Sequence, residues 1–324
     1  MTQHTNRRRF IQAAGAASVF ALAGCAGNGD ENGEETEDGE EGLSLSWHAG
    51  GTGGTYYPLS NEFKTVVEDN TPHSLNVQST GASVENVGSL ASGDADFALI
   101  QNDIAYFAKN GTGIEDFEDE PVDSLMGVAT LYPETISIVT LEDTDITEIS
   151  DLEGKTINTG DLGSGTQVNA LQILESVGIE DFEEQNASFS QAADQLADGD
   201  VDAAFVVGGW PVGAIEDLAN TNDAMLVSVS GDNREAVKEA ASWFADDTVP
   251  GGTYSGIDDD VETVAVQAMI ATHDGLEADV VEEVTEAIFD NVDDLSTKTD
   301  FISADSAQDG MSIEIHEGAE AYFG

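Results

Sequence analysis

Lysine and arginine are nearly missing from this chain: nine of 324 residues, against sixty-five aspartates and glutamates, for a formal net charge of −56. A phosphate backbone needs a clustered cationic face, so nucleic-acid binding is excluded. Adhesion to an anionic lipid surface through a polybasic patch fails for the same reason. A single cysteine, Cys25, excludes a disulfide framework and a multi-thiolate metal centre. The five histidines (His4, His48, His73, His273 and His316) stand apart, with no metal-ligand spacing. There is no P-loop, no G-x-G-x-x-G and no G-x-S-x-G elbow, which removes the common nucleotide and hydrolase signatures.

The chain is nevertheless 40% hydrophobic, too apolar to stay disordered, so its acidity coats a folded core. At about 100–200 residues per domain, its length predicts two domains. Self-repulsion of this size opposes compaction in dilute buffer. It is screened once the Debye length falls to about 3 Å, near 1 M salt. The composition therefore predicts a protein adapted to concentrated salt.

At the N-terminus, Arg7-Arg8-Arg9-Phe10 precedes a short apolar run from Ala13 to Gly24 and then Cys25. A membrane span takes about 20 apolar residues, so this run reads as an export signal. The arginines resemble a twin-arginine signal, and Leu22-Ala23-Gly24-Cys25 resembles a lipobox whose cysteine takes the lipid. Residues 1–25 are expected to be the signal and Cys25 the lipid anchor. Residues 26–42, with eight acids and no large apolar side chain, are expected to be a solvated tether. The expected location is outside the cytoplasm, on the outer face of the cell membrane, with the lipid as the only membrane contact.

From Leu43 onward, short apolar runs alternate with helical periodicity, the pattern of an α/β fold. LSLSWHA (43–49) leads through a glycine loop (50–55) into a helix. SLNVQST (74–80) precedes a helix bearing Val84, Val87 and Leu90, and ADFALIQ (95–101) is a third strand. The order recurs about 110 residues later. KTINTG (155–160) leads to Gly163-Ser164-Gly165-Thr166, and the helix there is expected to bury Val168, Leu171, Leu174 and Val177. Leu90–Ala98 aligns with Leu196–Ala204 at six of nine positions. Tyr132-Pro133 with ETISIVT (134–140), and VETVAVQAMIA (261–271), are the expected crossings between two lobes. Those lobes are 43–135 plus 263–324, and 136–262, with a cleft between them.

Both glycine loops join a strand end to a helix start, where free N–H groups and the helix dipole attract an anion. Thr52, Thr55, Ser164 and Thr166 add hydroxyl donors, and no arginine lies between Leu43 and Arg234. A carboxylate held without arginine fits this composition. Among the few aromatics, Trp47 and Tyr57 suit packing beneath a loop. Tyr56, Tyr132 and Trp210 face the presumed cleft.

The ordered set of motifs resembles the TAXI family, the substrate-binding subunits of one class of tripartite ATP-independent (TRAP) transporters. It runs through Gly51-Thr52-Gly53-Gly54-Thr55-Tyr56-Tyr57-Pro58, Thr80-Gly81-Ala82-Ser83-Val84-Glu85-Asn86 and Gln101-Asn102-Asp103. It continues with Leu131-Tyr132-Pro133-Glu134, Gly163-Ser164-Gly165-Thr166, Gly208-Gly209-Trp210-Pro211 and Val249-Pro250-Gly251-Gly252-Thr253-Tyr254. Ala82, where a second glycine is usual, and Asn102, where serine is common, depart from the pattern. The resemblance implies a two-lobed type II periplasmic-binding fold with two crossing strands and a central cleft. It implies no enzyme activity, no cofactor and no metal. The implied ligand is a small carboxylate, a glutamate-like amino acid or a dicarboxylate such as 2-oxoglutarate, delivered to TRAP permease subunits.

Carried over by motif, the ligand-binding residues are Thr52, Gly53, Gly54, Tyr56, Thr80, Ser83, Gln101, Tyr132, Ser164, Gly165, Thr166 and Pro211. Ser164, Gly165 and Thr166 are expected to hold one carboxylate, while the 50–55 loop, Ser83 and Gln101 read the other end. A secreted hydrolase using cleft carboxylates, or a binding protein serving a sensor or an ABC system, stays open as an alternative.

Overall fold

The structure, a computed structural model, describes residues 42–324; the expected signal, Cys25 and all of the tether except Gly42 lie outside the described residues. The first stretch runs β1 (Ser44–His48), α1 (Tyr56–Asn70), β2 (Ser74–Gln78), α2 (Ser83–Ser92), β3 (Phe97–Gln101) and α3 (Asn102–Asn110). Each helix carries the chain back, so β2, β1 and β3 lie parallel. A long strand, β4 (Leu125–Leu141), follows. The second stretch runs β5 (Thr156–Asn158), α4 (Gly165–Ser176), β6 (Glu183–Gln185), α5 (Phe189–Asp198), β7 (Ala203–Gly208) and α6 (Gly213–Ala219). Then come β8 (Ala224–Val227), α7 (Gly231–Ala240), β9 (Ala245–Val249), β10 (Val261–His273), α8 (Ala278–Asp290) and α9 (Glu317–Phe323).

The sheet order is β2-β1-β3-β10-β4-β7-β5-β6, with β8 on β4 and β9 on β10. The two long central strands are antiparallel to each other and to their outer neighbours β3 and β7. They are buried along most of their length, as expected of apolar runs covered on both faces. Both pass from one core to another. Leu131 and Tyr132, with Ala268 and Ile270, pack around Trp47 and Phe63, whereas Ile136, Ile138, Val264 and Val266 pack around Phe205. Trp47 is fully buried, stacks on Phe97 at 5.5 Å, and donates its indole N–H to Ser60 Oγ at 2.9 Å. Its role is core packing.

The internal repeat has a structural basis. Gly93 and Gly199 end α2 and α5 in the left-handed conformation, at φ 76° and 75°. Asp96 then accepts from Ser46 N at 2.7 Å, and Asp202 from Thr156 N at 2.8 Å. Each aspartate pins its strand to the parallel neighbour, so the matched sequence encodes a matched joint.

The expected buried face of α4 needs correction. Leu174 is buried, but Leu171 is exposed, and the covered residues are Thr166, Asn169, Ala170, Ile173 and Leu174. A spacing of three falls short of the 3.6-residue turn, so four residues so spaced wind off any one face. The run in α2 has only three members, and Val84, Val87 and Leu90 are all buried.

Candidate ligand-binding site

In parallel α/β units the helix N-termini gather at the carboxyl ends of the strands, and here four of them open onto one cavity. α1 contributes Thr55 and Tyr56, α2 Ala82 and Ser83, α4 Ser164 to Thr166, and α5 Ser188 and Phe189. Gln101, immediately before α3, and Glu134, on β4, complete the inner wall. The cavity measures about 50 Å³. By the measure in which one water needs about 10–15 Å³, this is room for a few waters or a small solute.

Eight of the twelve residues expected to bind ligand line this cavity: Gly54, Tyr56, Thr80, Ser83, Gln101, Ser164, Gly165 and Thr166. Their hydroxyls differ in what they can still do. Ser164 caps α4, accepting from Gln167 N at 3.1 Å, and Ser83 accepts from Gln101 N at 3.1 Å, so each keeps its own O–H to donate. Thr80 is tied to its own lobe: it donates to Asn86 Oδ1 at 2.7 Å and accepts from Ala82 N. Gly165 sits where the Gln101 amide presses on it; a Cβ there would stand 2.6 Å from Gln101 Cδ and 3.0 Å from Ser83 Oγ. Glycine at 165 is thus required by close approach rather than by its backbone angles.

Four expected residues lie outside the lining. Thr52 is exposed. Gly53 forms a joint, its carbonyl accepting from Ala214 N at 3.1 Å. Tyr132 is fully buried, its ring against Gly209 and its hydroxyl without a hydrogen-bond partner. Pro211 is exposed, beyond Trp210. Close by, Thr55 donates to Gly209 O at 3.1 Å, and Lys298 donates to Trp210 O with its ammonium 5.2 Å from the indole centre. These contacts join the two glycine-bearing regions beside the cavity.

Glu134 belongs to the Leu131–Glu134 motif but is not among the residues the motifs assign to the site. It is the single charged residue between Leu125 and Leu141, inside an otherwise apolar strand, and that was the available signal. The carboxyl is buried, and its Oε2 accepts from the Tyr56 hydroxyl at 2.8 Å. Burial pushes its pKa up to about 8. Asp103, at the start of α3, is also buried and accepts from Asn169 Nδ2 of α4 at 2.8 Å. Burial raises its pKa to about 6. At the rim, burial and then the Glu85 charge raise Asp161. No lysine, arginine or histidine lines the cavity. Polarity here comes from neutral donors and helix ends.

Comparison with known proteins adds a family and a fold. The profile of the NMT1-like family matches residues 48–324. The structure is similar to that of the periplasmic binding protein BugD, with a TM-score of 0.55 at 9% identity over 80% of this chain and 85% of that one. It also matches an ancestral arginine-binding protein bound to arginine, with a TM-score of 0.48 at 14% identity over 87% of this chain and 98% of that one. A putative L-cystine ABC transporter from Listeria monocytogenes matches with a TM-score of 0.46 at 13% identity, over 82% and 98% of the two chains. The mixed α/β architecture is that of the type II periplasmic binding proteins.

Proposed function

This chain belongs to the NMT1-like family, and from that premise we propose that it is an extracytoplasmic solute-binding receptor. It captures a small organic anion, a glutamate-like amino acid or a dicarboxylate such as 2-oxoglutarate, and hands it to a membrane permease. The motif resemblance described above favours a permease of the TRAP type. In this reading Cys25 carries the lipid that holds the receptor at the outer membrane face. The lobes 43–135 plus 263–324 and 136–262 close about the points where β4 and β10 change cores.

One observation carries the reading: four helix N-termini converge on a cavity whose lining holds no cationic side chain. Unpaired N–H groups and aligned dipoles give each terminus roughly half a positive charge. A carboxylate is thereby accommodated in a chain with almost no arginine. In the cradle of Ser164, Gly165 and Thr166, the two hydroxyls donate to one carboxylate end. The Ser83 hydroxyl addresses the opposite end from across the cavity.

Replacing Ser164 and Thr166 together with alanine tests this directly. Hydrogen bonds to a charged group contribute about 1.5–3 kcal/mol each, so calorimetry should read a loss of affinity of about a hundredfold or more. Loss of the Ser164 cap costs about 1 kcal/mol of stability, so the variant should remain folded. Affinity unchanged from wild type would remove these hydroxyls from the site. A purified protein that consumed the ligand instead of returning it unchanged would favour the hydrolase alternative.

A further inference from the structure

An acid buried in the wall of an anion site competes with the ligand for the same donors, and no cationic side chain lines this cavity to neutralise it. Glu134 is 3% exposed and shares the cavity with Ser164, Gly165 and Thr166. The groups facing it can be followed element by element. α1 presents the Tyr56 hydroxyl, β4 itself the Tyr132 hydroxyl, and α3 the Asp103 carboxyl. β10 places Val266 opposite it in register, and β7 pairs Gly208 with the adjoining Thr135. At the rim stand Asp161 and, bonded to Gly81 N, Glu85. None of these is cationic. Lys298 is engaged by the Trp210 carbonyl and ring, and the acid acting on it is Asp247.

Two further buried polar groups stand near Glu134, and one of them wants a donor. Gln101 Oε1 and the Tyr132 hydroxyl have no hydrogen-bond partner; burial raises the pKa of Glu134, and the donors of Tyr56, Gln101 and Tyr132 offset this only in part. A carboxylate can accept from the Tyr132 O–H but gives Gln101 Oε1 nothing; a carboxylic acid has one O–H to give.

We propose that Glu134 is the specificity-determining acid of this site, held neutral in the loaded cavity, so that the receptor captures its carboxylate ligand together with one proton. The inference rests on the organic-anion reading above. Its physical basis is like-charge exclusion: where two carboxyl groups share a water-poor space without a cation, only one stays ionised. The proton comes from the buffer and resides on Glu134, and the ligand keeps its negative charge for the helix ends. In linkage terms, the empty protein already holds this proton below about pH 8. Binding then takes up little there and close to one proton well above pH 8.

Titration calorimetry at pH 6.5 and 9.5, each in two buffers of different ionisation heat, counts the protons. The probe is 2-oxoglutarate, which has no ammonium group, with glutamate as its amine-bearing counterpart. For 2-oxoglutarate the wild type should take up close to one proton at pH 9.5 and nearly none at pH 6.5. Its Kd should rise about tenfold per pH unit above 8. Glu134→Gln should show no proton uptake from this site and no such slope. Binding of 2-oxoglutarate with no proton uptake and a flat Kd in the wild type would overturn the proposal while leaving the receptor reading intact. Binding of glutamate alone, without proton uptake, would also overturn it, because a ligand ammonium would then be neutralising an ionised Glu134. No binding of either acid at either pH sinks the organic-anion reading, and this inference with it.

Discussion

Gly165→Ala should lower ligand affinity about ten- to a hundredfold without destabilising the ligand-free protein. The new methyl group would collide with the Gln101 side chain and crowd Ser83 Oγ, both from the facing part of the molecule. Gln101 is 2% exposed, so it has little room to swing away in this form, which the receptor reading takes as the closed, ligand-bound one. Overpacking of this kind costs about 1–3 kcal/mol, which converts to the stated range in Kd. The same substitution favours α4 locally, because alanine is the better helix former by up to about 1 kcal/mol. The two effects therefore separate. Calorimetry should show the loss, while the melting temperature without ligand stays level or rises. Wild-type affinity in the variant would mean that Gln101 and Gly165 do not meet in the ligand-bound form.

The second large effect is that of salt. Outside the first 42 residues, fifty-seven acids face six lysines and arginines. Among the described residues, only Glu68, Glu235, Asp246 and Glu262 lie within 4 Å of a lysine or arginine nitrogen, and Glu283 lies beside His73. Lys109 and Lys298 give their protons to backbone carbonyls instead. The negative surface is thus left almost unneutralised by the chain itself. Raising KCl from about 0.1 M to 2 M shortens the Debye length from about 10 Å to below 3 Å. If screening recovers about 3–5 kcal/mol, the melting temperature should rise by about 5–10 °C for a domain of this size. A chloride salt is the right probe, because sulfate strengthens apolar burial in any protein. A melting temperature that is flat or falling over that range would overturn the reading of the composition as salt adaptation.

The sequence revealed most where local physics is strong. β1, β3 and α2 follow from periodicity, with a glycine after α2, and the two long strands from apolar runs. The sequence marks α4 but not its buried face, because a run spaced by three drifts around the helix. The reading did not extend to β8, β9, α6 or α7, which are short or carry few apolar residues. Among site residues, the cradle at 164–166 was legible because a glycine loop before a helix has a definite chemistry. Glu134 was not singled out: in so acidic a chain, the meaning of one carboxyl depends on whether water reaches it.

By itself, then, the amino-acid order determined the alternation of strands and helices, the repeated Gly-Asp joints, the want of positive charge, and the neutral hydroxyls set at helix starts. All of these are properties of neighbours in sequence. Only the tertiary structure decided which helix ends meet and that Gln101 closes against Gly165. It also placed Thr52 and Pro211 outside the cavity and Glu134 inside it. Those facts depend on contacts between segments far apart in the chain, and on burial, which changes the charge a carboxyl can hold.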